Sequence, residues 1–147
     1  MGWFTTEKSA VADELEALYS EYRRLERQLD EHAEKAPYPQ VATRLKALLV
    51  NEGENAASVS ARLAVLGRYA ESDGTARLRD GSNSWERLIG NLDDYRALIR
   101  TLGQLFVRWD DESPEDALLV RDLRERAQFG RMEISDMISR ADPHALN

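Results

Sequence analysis

The segment PQVATRLKALLVNEGENAASVSARLAVL, which runs from Pro39 to Leu66, carries the clearest helical pattern in the chain. Its inward positions recur at alternating steps of three and four residues, the period of one face of an amphipathic helix. They are occupied by Val41, Leu45, Leu48, Glu52, Asn55, Val59, Arg62 or Leu63, and Leu66. Pro39 suits a first helical turn, and Gly67 suits the position just past a helix end. The segment therefore predicts a helix with two polar residues, Glu52 and Asn55, on its buried face.

An inward glutamate is unusual at this position of a helical stripe. Glu52 lies one turn before Asn55, inside a run of apolar residues. An isolated charge in a helical core is costly, so a buried carboxylate must be neutralised or find a hydrogen-bond partner. We therefore expect a partner for Glu52 in the folded protein.

Length and composition limit the possible classes of protein. The chain has 147 residues, of which 42% are apolar and 32% are charged, and this predicts one domain over residues 1–147 with its own core. The net charge of -7 disfavours binding to nucleic acid or to anionic membranes. The absence of cysteine excludes disulfides and thiolate metal sites. Without a signal peptide or a long apolar run, a soluble cytoplasmic protein is the simplest prediction.

Three more segments have the helical period, and the chain is predicted to be all-α. The expected helices cover about residues 6–35, 39–67, 84–109 and 114–141. The short break around Pro37 predicts an antiparallel hairpin of the first two helices. The connection over about 68–83 is long for a helical protein, and a crossover along a bundle is one reason for such a length. On the first helix, His32 is expected to make a structural hydrogen bond or a helix-dipole contact.

The two halves of the sequence resemble each other. Matching Pro39 to Pro114 also matches Leu45 to Val120, Leu48 to Leu123, Val59 to Ile134 and Leu63 to Ile138. The first and third helices match through Glu21-Tyr22-Arg23 and Asp94-Tyr95-Arg96. Two pseudo-repeated helical hairpins joined by a long crossover connection resemble the ferritin-like four-helix bundle, over residues 7–141.

The resemblance implies a pair of metal ions held by single glutamates on two helices and Glu-x-x-His pairs on the other two. In this chain the first paired position is Glu52-Gly53-Glu54-Asn55, with Asn55 in place of histidine, and its repeat-mate is Ala127-Gln128-Phe129-Gly130, with no ligand. We call these two paired positions, on the second and fourth helices, the slots. Tyr22 on the first helix and Tyr95 on the third fall level with the two slots, and Glu21 and Asp94 each precede one of these tyrosines by one residue. The predicted core of this degenerate site consists of Tyr22, Glu52, Asn55, Tyr95, Ala127 and Gly130.

Three interpretations of that core remain open. A metal centre, if any, would have only Glu21, Glu52 and Asp94 as ligands, with Fe or Mn as the cofactor. A weak cation or small-ligand pocket could form near the small residues Gly53, Ala56, Ala127 and Gly130. We prefer the third interpretation, in which no cofactor is bound, the two tyrosine rings fill the space of the metals, and their hydroxyls hydrogen-bond Glu52 or Asn55.

Two functions follow from these interpretations. The preferred one is a non-catalytic, metal-free protein that acts as a homodimer or binds a protein partner, with Trp3, Phe4 and Trp109 as a contact patch. The alternative is a metal-binding protein, either a di-metal-carboxylate oxidoreductase or a storage protein, with unconventional ligands. The sequence favours a protein that is not an enzyme, because no recognisable catalytic motif is present.

Overall fold

The computed structural model describes residues 2–72 and 74–141, with side chains from Ser9 onward. These residues contain four α-helices and no strand. The helices are α1 (Gly2–Lys35), α2 (Pro39–Val65), α3 (Ser84–Trp109) and α4 (Pro114–Arg140). The prediction of an all-α chain with four helices is confirmed. The side chains of Trp3 and Phe4, which the sequence places in a contact patch, lie outside the described part of the chain.

Glycine ends α2 in the way that its position in the sequence predicts. Gly67 has a φ of 80°, in the left-handed region that a residue with a Cβ enters only with strain. Its N–H donates to the Ala64 carbonyl at 3.0 Å, and the Arg68 N–H donates to the Leu63 carbonyl at 2.9 Å. This pair of bonds is a Schellman motif, which satisfies carbonyls left open at the helix end.

The start of α3 is fixed by two side chains. Asn83 Oδ1 accepts a hydrogen bond from the Glu86 N–H at 2.9 Å, as an N-cap does. Glu86 in turn reaches back and accepts from the Ser82 N–H at 2.7 Å. The two side chains therefore form a reciprocal cap, with the glutamate bonded one residue earlier than in a standard capping box.

The chain divides into two compact units, and each takes part of α1 and part of α2. The first unit contains Met1–Asp30 and Lys46–Leu78, and the second contains Glu31–Leu45 and Arg79–Asn147. The first unit has an apolar core from α1 and α2. Its buried side chains include Val11, Leu15, Leu18, Tyr22, Leu25, Leu29, Leu48, Ala56, Val59 and Leu63. The expectation of a single domain over residues 1–147 stays a prediction.

In the first unit, the connection after α2 is held against α1. Arg68 forms an ion pair with Asp13. Further along, the guanidinium of Arg27 donates to the carbonyls of Gly74 and Ala76, at 2.8 and 3.4 Å. Backbone carbonyls outside regular structure need such donors when water does not supply them. The connection is thus bonded to α1 at two places about four helical turns apart.

The second unit is built on the direct packing of α3 against α4. The helices are antiparallel, since Ile99 faces Arg124 and Tyr95 faces Gly130. Its buried apolar side chains include Leu88, Leu92, Tyr95, Leu98, Leu102, Leu105, Trp109, Ala117, Val120, Leu123, Ala127, Ile134 and Met137.

The position of Trp109 differs from the prediction that it belongs to a surface contact patch. It is only 3% exposed, so its assignment to a surface contact patch is wrong. The last turn of α3 places its large ring in the core, where burial of aromatic area is most favourable. Within the described residues, no helix has both the length and the apolar character that crossing a membrane requires.

Candidate functional site

Glu52 and Asn55 form a buried polar pair on α2, in the first unit. Glu52 is 2% exposed and Asn55 is 3% exposed, as their positions on the inward face of the helix predict. Asn55 Nδ2 donates a hydrogen bond to Glu52 Oε1 at 2.7 Å. The residues lie three apart on one helix, so the same face presents both. The carboxylate thus receives this bond from its own helix, and the hydrogen bond from a tyrosine hydroxyl that the sequence predicts stays a prediction.

Glu21 is occupied by an arginine of the same helix. Arg24 Nε lies 3.1 Å from one Glu21 oxygen and 3.2 Å from the other, and Arg24 Nη2 forms a further short contact. Arg24 Nη1 also donates to the buried Gln28 Oε1 at 2.8 Å. The forked guanidinium matches a carboxylate well, so Glu21 is held in an ion pair on α1.

Asp94 is paired with the end of the connection, in the second unit. Its carboxylate is buried, and Arg79 Nε lies 2.6 Å from its Oδ1. A buried carboxylate without such a partner would be strongly unfavourable. Arg79 precedes α3 in an aperiodic segment, so no helical pattern in the sequence indicates this ion pair.

The slot on α4 is filled by an aromatic ring. Ala127 and Gly130 are buried, one turn apart, and neither has a side chain that could bind a metal. A Cβ added to Gly130 would lie 2.4 Å from Cε1 and 2.6 Å from Cζ of Tyr95. No real Cβ contact is that short, so Gly130 is required for the ring to pack against the backbone of α4. The fully buried Tyr95 therefore occupies the volume beside this slot.

His32 and Asn91 form a second buried polar pair, in the second unit. Asn91 Nδ2 lies 3.0 Å from His32 Nδ1, and His32 Nε2 lies 2.9 Å from the Arg79 carbonyl. The Asn91 amide nitrogen can only donate, so Nδ1 accepts and Nε2 carries the proton that it donates to Arg79. The predicted structural hydrogen bond of His32 is confirmed. Burial lowers the pKa of His32 below its ordinary value of 6.5, against a smaller opposing effect of the Arg79 carbonyl.

Asn91 and Arg79 are partners that lie outside the predicted site residues. Asn91 lies between Leu88 and Tyr95 on the buried seam of α3, so its spacing is a usable signal of a buried amide. Arg79 offers no such signal, because its partner depends on where the connection passes α3.

These side chains do not fit the pair of metal ions that the fold resemblance implies. The slot on α4 contains a tyrosine ring, its own residues supply no carboxylate or imidazole, and the carboxylates of Glu21 and Asp94 are each bonded to an arginine. Among the described side chains, those of residues 9–72 and 74–141, histidine, aspartate and glutamate form no group of three that could hold a metal ion. Dinuclear sites need several carboxylate or imidazole ligands around one point. The roles assigned from sequence to Tyr22, Glu52, Asn55, Tyr95, Ala127 and Gly130 stay predictions.

Comparison with solved structures shows the fold. The chain is similar to the bacterioferritin of Desulfovibrio desulfuricans, a protein with a diiron site, at a TM-score of 0.83 and 16% identity, covering 92% of this chain and 81% of that one. It is also similar to a dodecameric thioferritin of Bacteroides fragilis, a bacterioferritin-related protein. The TM-score is 0.80 at 12% identity, and the match covers 90% of this chain and 86% of that one. A third similar structure is that of a variant of Dps1 from Mycobacterium smegmatis, with a TM-score of 0.79 and 16% identity, covering 90% of this chain and 97% of that one. No family model and no curated protein matches the sequence. The predicted ferritin-like four-helix bundle is confirmed.

Proposed function

We propose that this ferritin-like four-helix bundle is a non-catalytic protein that acts through self-association or through binding of a protein partner, and that it holds no di-metal centre. The observation that supports this most is the Tyr95 ring against Gly130, in the slot where the fold resemblance implies metal ligands. A ring in van der Waals contact with the backbone leaves no volume there for an ion and its ligands.

The proposed partner is a second copy of the chain in the cytoplasm. Self-association is supported by the dodecameric assembly of the related thioferritin and by large apolar side chains on the surface of the second unit. On α4, Phe129 is 52% exposed and Met132 is 60% exposed, three residues apart and therefore on one helix face. Clustered apolar residues of this size often mark interfaces. This α4 face replaces Trp109 as the proposed contact surface.

A metal-binding function, as an oxidoreductase or a store with Fe or Mn, is the second candidate. It is favoured by the buried Glu52 carboxylate on α2, because carboxylates in helical cores are common metal ligands. The diiron site of the related bacterioferritin adds to this candidate. The ligands would be Glu52 with Glu21 or Asp94, and each of these would have to release the partner that it contacts.

Elemental analysis separates the two functions. Protein purified without chelator and then incubated with Fe(II) or Mn(II) is desalted and measured for bound metal. We expect no stoichiometric metal, and the same result for Glu52→Ala. Metal at one or two equivalents that is lost in Glu52→Ala would support the second candidate and contradict the first.

Light scattering after size exclusion tests the self-association. We expect a dimer or larger assembly that Phe129→Glu weakens, because the substitution places a charge on the apolar α4 face. Ser139→Glu is the matched control, since Ser139 is also exposed on α4. A monomer at all concentrations, with no partner recovered, would contradict the proposal.

A further inference from the structure

A groove of about 670 Å³ runs along the seam of α3 and α4 in the second unit. Its volume lies in the range of about 300–1,000 Å³ that is usual for small-molecule sites. The wall from α3 contains Phe106 and the 77% exposed Val107. The two helices thus leave an apolar trough that side chains of this unit do not fill.

Gly103 makes the floor of the groove. A Cβ at Gly103 would lie 3.2 Å from Arg124 Nε, closer than most real contacts. Arg124 crosses the glycine and donates from Nε to the Ile99 carbonyl at 3.4 Å. The glycine therefore allows the arginine of α4 to lie flat on α3, with its charged end at the groove.

Charge distinguishes this groove from the rest of the protein. Arg100, Arg121 and Arg124 line it together with a single carboxylate, that of Glu125, although the chain as a whole carries a net charge of -7. Arg121 has only a 3.4 Å contact with its neighbour Asp122. Among the residues that the structure describes, no ion pair involves Arg100 or Arg124. Guanidinium groups bind carboxylates through paired hydrogen bonds, so three of them at one rim favour an anionic ligand.

We propose that the groove binds a medium-chain fatty acid, with its alkyl chain on the apolar wall and its carboxylate among the three arginines. The trough accounts for the apolar part of the ligand, and the arginine rim accounts for its charge. This assignment goes beyond the function proposed above and does not rest on it.

Calorimetric titration with hexanoate, octanoate and decanoate at low salt tests this site. We expect saturable binding of one molecule, with affinity rising by up to about fourfold for each added methylene until the groove is filled. The double variant Arg100→Gln/Arg124→Gln should bind decanoate at least about tenfold more weakly, because charge-assisted hydrogen bonds are lost. The matched control, Arg96→Gln/Arg140→Gln, removes the same charge outside the groove and should bind within about twofold of the original protein.

Four results would overturn this proposal. Two of them are that decanol or inorganic phosphate binds as tightly as decanoate. The third is that none of the three acids shows saturable binding, and the fourth is that the control variant weakens decanoate binding as much as the groove variant does. A change of oligomeric state in the groove variant alone would assign the groove to a second copy of the chain instead. Gly103→Leu, which fills the floor, should weaken decanoate binding without altering the arginines' net charge.

Discussion

Equivalent positions of α2 and α4 are occupied in opposite ways. On α2, in the first unit, Glu52 and Asn55 form a buried hydrogen bond of 2.7 Å. On α4, in the second unit, the matching residues are Ala127 and Gly130, and the ring of Tyr95 packs on the glycine. One slot is satisfied by polar pairing and the other by aromatic packing.

This difference predicts different sensitivities in the two units. A buried polar pair adds little net stability, but it is expensive to break from one side. Aromatic packing contributes in proportion to the buried area and the fit of the ring. The first unit should therefore respond most to loss of one hydrogen-bond partner, and the second to changes of volume.

The largest effect is expected for removal of the ring. Tyr95→Ala should lower the free energy of unfolding by about 3–5 kcal/mol, as large-to-small aromatic substitutions in cores do. Tyr95→Phe keeps the ring and should cost less than about 1.5 kcal/mol. Urea denaturation of both variants measures these values. A small effect of Tyr95→Ala would show that the ring does not fill the α4 slot.

The polar pair gives the next effect. Asn55→Ala should destabilise the protein by about 1–3 kcal/mol, because the buried Glu52 carboxylate loses a hydrogen bond. The double variant Glu52→Leu/Asn55→Leu should lie within about 1 kcal/mol of the original protein, since packing replaces the whole pair. Urea denaturation of both variants measures these changes in the free energy of unfolding. A double variant less stable than Asn55→Ala would contradict the structural interpretation of the pair and indicate that Glu52 has another role.

Substitution of one glycine in each unit by alanine allows a direct comparison of the two units. Gly130→Ala should cost about 1–2 kcal/mol, because the new methyl meets the ring of Tyr95 and this outweighs the gain in helix propensity. At Gly53 the new methyl meets only Oε2 of Glu26, at 2.9 Å, at the end of a flexible side chain. Gly53→Ala should therefore stabilise α2 by about 0.5–1 kcal/mol. Thermal unfolding of both variants checks the opposite signs, and equal signs would refute the comparison.

The smallest effect concerns His32, the titratable member of the polar pair in the second unit. Its folded pKa is lowered, chiefly by burial, so the unfolded chain binds a proton more readily as the pH falls below 6.5. This contribution to stability is complete above that pH and decreases as the pH drops from 6.5 to the folded pKa. The groups around it are Arg87, Asp80 and Glu31. The stability of His32→Gln should change less than that of the original protein between pH 7.5 and pH 5.5, and an equal change would contradict this assignment.

Much of the fold follows from local signals in the sequence. The period of three and four residues predicts all four helices, and Gly67 and Asn83 predict a helix end and a helix start for reasons of backbone geometry. The internal repeat also places Tyr95 level with the slot on α4, where the structure packs its ring against Gly130.

The partners of the polar residues were harder to predict. Asn55 bonds within its own helix, which depends on a rotamer and not on spacing alone. Arg79 reaches Asp94 from a segment without any period, so only the three-dimensional path of the connection reveals the pair. The burial of Trp109, by contrast, agrees with the helical period, because Trp109 follows the buried Leu102 and Leu105 at steps of three and four residues; only its place at the end of α3 pointed to the surface.

The most direct test of the central claim is an experimental structure of the protein crystallised with excess Fe(II) under anaerobic conditions, with anomalous scattering measured at the iron edge. The Tyr95 ring should lie on Gly130, and no anomalous peak should appear near Glu52. An iron ion bound by Glu52 together with Glu21 or Asp94 would contradict the claim that these slots are filled by the protein's own side chains.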